Sequence, residues 1–142
     1  MIEIYTDGAC SVQKRIGGLG IVMIHGEHRK ELSFAYQDTT NNRMELTSVI
    51  IALEHLKKPN LDATIYSDSK YVIDSVQKGW LYNWERDNFK DRLNSDLWIR
   101  FLLIFRQHNV SFVWVKGHAS NKENNRCDEL AVSAYKSGNF VN

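Results

Sequence analysis

Between Met1 and Tyr36 three runs have strand character, and the later connection is too short to hold a crossover. Met1–Thr6 alternates Ile2 and Ile4 with Glu3 and Tyr5. Gly18–His25 reads GLGIVMIH, and Lys30–Tyr36 follows the turn His25-Gly26-Glu27-His28. Returning parallel takes a dozen or more residues, so an antiparallel meander is predicted, with Cys10–Gly17 as its first loop. Then the period changes. Asn42–Lys57 puts Leu46, Val49, Ile50, Leu53 and Leu56 on one stripe, with Pro59 beyond its end, which predicts a helix. Ala63–Ser67 reads as a fourth strand and Ser69–Val76 as a short helix. Asp96–His108 is a helix with Leu97, Trp98, Phe101, Leu102 and Phe105 inward, and Val110–Lys116 a fifth strand. Glu123–Lys136 is a last helix, stopped near Gly138. The predicted class is α/β: a five-stranded mixed sheet, three antiparallel strands and then parallel ones, flanked by helices.

At 142 residues, with no repeat or linker, the expectation is a single domain over residues 1–142. No apolar run approaches a membrane span, and the start lacks the basic region of a signal peptide. Cys10 and Cys127 make neither a disulfide framework nor the short-spaced pairs of a zinc site, so a reducing, cytoplasmic setting is expected. A net charge of +1 excludes gripping a polyanion by bulk positive charge. Such a ligand would need local patches or bound cations. Nothing in the sequence demands a protein partner or more than a monomer.

Four acids fall near predicted element ends. Asp7 and Asp68 close strands, Glu45 lies early in the long helix, and Asp128 begins the last one. Each has an ordinary explanation. Asp7 starts an Asp-Gly turn, and Asp68 caps the next helix. Glu45 stands three residues after Asn42, at capping-box spacing, and Asp128 favours its helix dipole. Together they allow another reading. If the two strands are neighbours, four carboxylates gather at one sheet edge, where they repel unless cations sit among them. Oxygen-only ligation suits Mg²⁺ or Mn²⁺, and two such ions can activate water against a phosphodiester.

The motifs at these acids are Tyr5-Thr6-Asp7-Gly8-Ala9, Thr39-Thr40-Asn41-Asn42-Arg43-Met44-Glu45-Leu46 and Tyr66-Ser67-Asp68-Ser69. Trp114-Val115-Lys116-Gly117-His118-Ala119 and Asn124-Asn125-Arg126-Cys127-Asp128-Glu129-Leu130-Ala131 follow. In this order, from Ile2 to about Ala134, they resemble ribonuclease H of the type 1 family, in its bacterial ribonuclease HI form. The resemblance implies the RNase H-like fold and a stand-alone catalytic domain. It implies endonucleolytic cleavage of the RNA strand of an RNA–DNA hybrid, leaving 5′-phosphate and 3′-hydroxyl ends. Asp7, Glu45, Asp68 and Asp128 match the family's metal-binding carboxylates, with Mg²⁺ expected and Mn²⁺ as a substitute. His118 matches its mobile histidine, linked to proton transfer or product release. Cys10, Asn41 and Asn42 match positions that contact the hybrid, and Thr40 one near a DNA-strand phosphate. For Asn42, helix capping is an equally good explanation.

The chain departs from that pattern in two places. After Asp7 the family carries a glycine- and proline-rich Asn-Pro-Gly segment. Here the residues are Ser11-Val12-Gln13-Lys14-Arg15-Ile16-Gly17-Gly18, with Gln13 in place of the asparagine. Lys70 stands where many relatives have Gln. The second departure is the segment at about residues 78–95, at the place of the family's basic handle. Trp80, Trp84 and Phe89 fit its aromatic framework, but Lys78, Arg86, Lys90 and Arg92 are balanced by Glu85, Asp87, Asp91 and Asp96. Weaker, less handle-dependent binding is expected. Two other classes remain to be tested: a non-catalytic nucleic-acid-binding module of the same fold, and another nuclease or integrase on it.

Overall fold

A computed structural model of the chain describes residues 1–117 and 121–142. Its strands are β1 (Ile2–Ser11), β2 (Ile16–His25), β3 (His28–Gln37), β4 (Asp62–Ser67) and β5 (Asn109–Trp114), in the sheet order β3-β2-β1-β4-β5. The meander β1-β2-β3 is antiparallel, while β1 pairs parallel with β4 and β4 parallel with β5. The helices are α1 (Asn41–Glu54), α2 (Lys70–Gln77), α3 (Trp80–Arg86), α4 (Ser95–Phe105) and α5 (Lys122–Ser137). This is the mixed α/β sheet that the sequence predicts. None of the described helices is long and apolar enough to cross a membrane.

Two layers cover the sheet. On one face α1 lies between the sheet and α4, so its burial exceeds a stripe and takes in Thr47 and Ser48 as well. Ile4, Leu46, Val49, Ile50, Leu53, Ile65, Trp98 and Phe101 are fully buried there. Each contributes roughly 1.5–3 kcal/mol through removal from water. On the other face α5 crosses β1, β2 and β3. Side chains at Gly18 and Gly20 would overlap the carbonyl oxygens of Ala131 and Cys127, so these glycines let the helix backbone settle on the sheet. Tyr5, stacked on Tyr66 at 4.6 Å, packs beneath it with Val22 and Cys127.

Several element boundaries differ from the sequence reading, among them α4, which stops at Phe105 short of His108, and β5, which stops at Trp114 short of Lys116. β1 does not stop at Thr6 but continues through Asp7↔Gly20 to Ser11↔Ile16, so the loop shrinks to residues 12–15, closed by Arg15 at φ 53°. Helix α1 ends at Glu54, short of Lys57. The segment after Gly79 is not a plain break. It holds α3, anchored by fully buried Leu81, and then residues 87–94 turn through positive φ at Asn88, Phe89, Asp91 and Asn94.

Candidate active site

Tyr5 of β1 stands opposite Tyr66 of β4 in the parallel ladder. Asp7 and Asp68 each lie two residues further, so alternation turns both toward the same face beyond the ladder's end. β4 stops at Ser67, whereas β1 runs on with β2 alone as its partner. Asp7 therefore sits inside a strand, at the margin of the sheet's parallel half.

Glu45 arrives from α1. Its Oε1 accepts the Gly8 N–H, tying the helix to β1. A Cβ on Gly8 would lie 2.6 Å from the Glu45 nitrogen and 2.6 Å from the Met44 carbonyl carbon. Asp7-Gly8 is thus no turn; the glycine admits the helix that delivers the second carboxylate. One carboxylate oxygen from each of Asp7, Glu45 and Asp68 lies within 4.8 Å of the other two.

The ordinary explanations of these acids fail one by one. Thr40 is the N-cap of α1, its Oγ1 accepting the Arg43 N–H at 3.2 Å, so neither Asn42 nor Glu45 caps that helix. Ser69 caps α2, accepting the Val72 N–H at 3.3 Å, which frees Asp68 of that task. Asp128 lies almost two turns inside α5, whose N-cap is Asn121.

Electrostatics sets the cluster apart. Burial pushes the Asp7 carboxyl up to about 7; the negative charges of Asp68 and Asp128 add to this, and hydrogen bonds from Glu45 and Gly8 partly oppose it. Burial, and next the charge of Asp7, drives Glu45 well above the ordinary carboxylate range. Asp128 stands outside the group of three but is near enough for its charge to act on Asp7. Among the described residues no ion pair is formed by Asp7, Glu45 or Asp68. An oxygen-only donor set, desolvated and without counter-charge, fits a hard divalent cation.

Two contacts confine Asp68. The Trp114 indole N–H donates to its backbone carbonyl at 3.3 Å, and a Cβ on Gly117 would come 2.7 Å from its Oδ2. Neither residue was singled out for this role by the sequence, where both stand only within the motif Trp114-Val115-Lys116-Gly117-His118-Ala119. Gly8 was missed in the same way, because a glycine after a polar residue carries the signal of a turn. The expectation for His118 lies outside the described residues.

Of the expected substrate contacts, Cys10, Thr40, Asn41 and Asn42 line one cavity of about 360 Å³, together with Arg15 and Asn94. Cys10 is half-buried, its thiol 3.6 Å from the Thr39 carbonyl oxygen. Gln13 stands exposed in the turn between β1 and β2. Lys70 lies apart from that cavity, its ammonium 5.0 Å from the centroid of Trp114. Trp80 is exposed beside Lys78, whereas Trp84 packs edge-on against Trp98 with Arg92 over its ring. A cavity of about 430 Å³ at the opposite end of β1, lined by Ile2, His25, His55 and Lys58 among others, takes no part in the carboxylate cluster.

The RNase H family model matches residues 1–136. The chain is 50% identical to a ribonuclease H of Desulforamulus reducens over 98% of its own length and 90% of that protein. It is 47% identical to a ribonuclease HI of Synechocystis sp., over 95% and 88% of the two lengths. Among solved structures it is similar to LC9-RNase H1, a type 1 RNase H with the type 2 active-site motif. That match has a TM-score of 0.87 at 27% identity, covering 98% of this chain and 73% of the other. The fold alone is shared with LC11-RNase H1 in complex with RNA/DNA hybrid, at TM-score 0.77 and 23% identity, covering 97% and 99%.

Proposed function

The chain belongs to the RNase H family, and from that premise we propose that it hydrolyses the RNA strand of RNA–DNA hybrids, leaving 5′-phosphate and 3′-hydroxyl ends. The observation that carries this reading is the meeting of Asp7 from β1, Glu45 from α1 and Asp68 from the link between β4 and α2, none of them ion-paired among the described residues. These three, with Asp128, would hold Mg²⁺, or Mn²⁺ in its place. Two such cations would supply Lewis acidity at the scissile phosphate and would lower the pKa of a bound water.

The chain's own residues do the rest. The Gly8 N–H orients Glu45, burial of Asp7 keeps bulk water from screening the site, and Trp114 and Gly117 hold Asp68 in place. His118 is assigned to proton movement or product release on its motif. Cys10, Asn41 and Asn42, gathered in one cavity beside the N-terminus of α1, are suited to read 2′-hydroxyls from the minor groove. Thr40, Gln13, Lys70, Trp80 and Trp84 are assigned to the flanking strands. The whole acts as one catalytic domain, with residues 78–95 as a handle-like protrusion of balanced charge.

The test uses labelled RNA–DNA hybrid, RNA duplex and DNA duplex, each with and without Mg²⁺. The RNA of the hybrid is cleaved only with Mg²⁺, and the two duplexes survive. Intact hybrid RNA in Mg²⁺ would overturn the assignment and favour a binding module; cleavage of DNA duplex would favour another nuclease.

A further inference from the structure

Asn94 occupies the N-cap position of α4 in a left-handed conformation, φ 64°, yet its side chain caps nothing. An asparagine there ordinarily accepts an N–H from the first turn of its own helix. Here it is buried and turned elsewhere. Its Oδ1 accepts Arg43 Nη1–H at 3.3 Å, and its Nδ2 donates to the Tyr71 hydroxyl at 3.0 Å. The same hydroxyl accepts the indole N–H of fully buried Trp98 at 2.9 Å. Arg43 is held further by two bonds to Asp96, at 3.0 and 2.8 Å.

Both ends of this chain of bonds lead to the cluster. Arg43 lies two residues before Glu45 on α1, and Tyr71 lies three residues after Asp68, in the first turn of α2. The amide of Asn94 therefore bridges the helix that delivers one carboxylate to the helix that follows another. The bridge is anchored in turn by Trp98, packed at 5.4 Å on Phe101 and 5.9 Å on Trp84. Groups that orient metal ligands from behind govern affinity as strongly as 10–100-fold.

We propose that the Asn94–Tyr71 bridge is a positioning device that sets the spacing of Glu45 and Asp68, so that the base of the 78–95 segment controls the divalent-cation affinity of the cluster. The inference rests on reading Asp7, Glu45 and Asp68 as a cation site. Tyr71→Phe is the cleaner probe, because Tyr71 does not line the cavity that holds Cys10 and Asn41, whereas Asn94 does. Asn94→Gly is the second probe: glycine keeps the left-handed backbone at no steric cost while removing both side-chain bonds. Glu54→Gln serves as the control. It cuts the Glu54–Arg100 ion pair, at 2.8 and 2.5 Å, which joins α1 to α4 far from the acids.

The experiment titrates Mn²⁺ into the metal-free protein by calorimetry and follows the Mg²⁺ midpoint, KM and kcat of hybrid cleavage. Tyr71→Phe and Asn94→Gly weaken Mn²⁺ binding and raise the Mg²⁺ midpoint by roughly tenfold. For Tyr71→Phe, kcat recovers at saturating Mg²⁺ and KM stays within about twofold of the parent. Glu54→Gln leaves the cation affinity unchanged. A lowered Tm with parental Mn²⁺ affinity in both bridge variants would overturn the proposal and make the bridge structural only. Mn²⁺ binding by the parent that is insensitive to Asp68→Asn would overturn the cation-site reading itself, and the positioning role with it.

Discussion

The acids at the sheet edge and the acids elsewhere on the surface meet opposite surroundings. Glu85 receives two bonds of 2.7 Å from Arg106, Asp96 two from Arg43, and Glu31 is gripped by both Arg126 and Arg29. These partners hold Glu85 and Asp96 below the usual carboxylate range and take Glu31 down to about 2. Among the described residues Asp7 and Glu45 have no such partner, and burial drives them upward. The residue types are the same; the counter-charge separates them. Paired acids on an exposed surface serve the fold only modestly, because solvent screens them. Unpaired, desolvated acids cost stability and mark a site awaiting a ligand of positive charge.

The sharpest way to break this contrast is Asp7→Asn. It keeps the shape and removes the charge, so hybrid cleavage in Mg²⁺ should fall by roughly 10³-fold or more. The metal-free protein should gain about 1–3 kcal/mol at mildly alkaline pH, read from urea unfolding. An active variant, or a destabilised one, would put Asp7 among the structural acids. Gly8→Ala comes next. The added methyl meets the α1 backbone, so stability should drop by about 1–3 kcal/mol. Displacement of Glu45 should also cost roughly 10²-fold in kcat.

The two groups of acids also differ in the sign of their pH dependence. Asp7 has a folded pKa raised to about 7, so the protonated state favours folding. Its contribution is full below the unfolded carboxylate range near 4 and is lost as pH rises through about 7. Glu31, lowered to about 2, does the reverse: its contribution is present above about 4 and is lost as pH falls through about 2. Urea midpoints of the metal-free protein should therefore fall between about pH 5 and 8. Asp7→Asn should flatten that fall, and Glu31→Gln should leave it in place.

How much of this was legible beforehand depended on whether the cause was local. The stripe Leu46, Val49, Ile50 and Leu53 announced α1, and the ordered motifs named the three acids that the fold brings together; Asp128, named with them, stands outside that group. The continuation of β1 past Asp7 was hidden. Gly8, Ala9 and Cys10 show no alternation of apolar residues, and what keeps them extended is pairing with β2 and the approach of α1. Helix α3 was hidden because its apolar face is narrow, with Leu81 buried while Trp80 and Tyr82 remain exposed. Nothing in the sequence pattern singles out Asn94, because its role depends on its amide lying between Arg43 and Tyr71 of two other helices.

The smallest expected effect lies in the 78–95 segment. Neutralising Arg86, Lys90 and Arg92 together should change the salt slope of hybrid binding by less than about one unit, the share of a single phosphate contact. A larger drop would make the segment a true basic grip and remove the contrast in charge balance on which the expectation stands.

Urea unfolding at mildly alkaline pH with and without saturating Mg²⁺ shows whether the edge acids are left unpaired for a divalent cation. The parent should gain stability with Mg²⁺, by about 2.7 kcal/mol at a hundredfold excess over Kd, while Asp7→Asn gains little. No gain in the parent, or an equal gain in Asp7→Asn, would contradict the account.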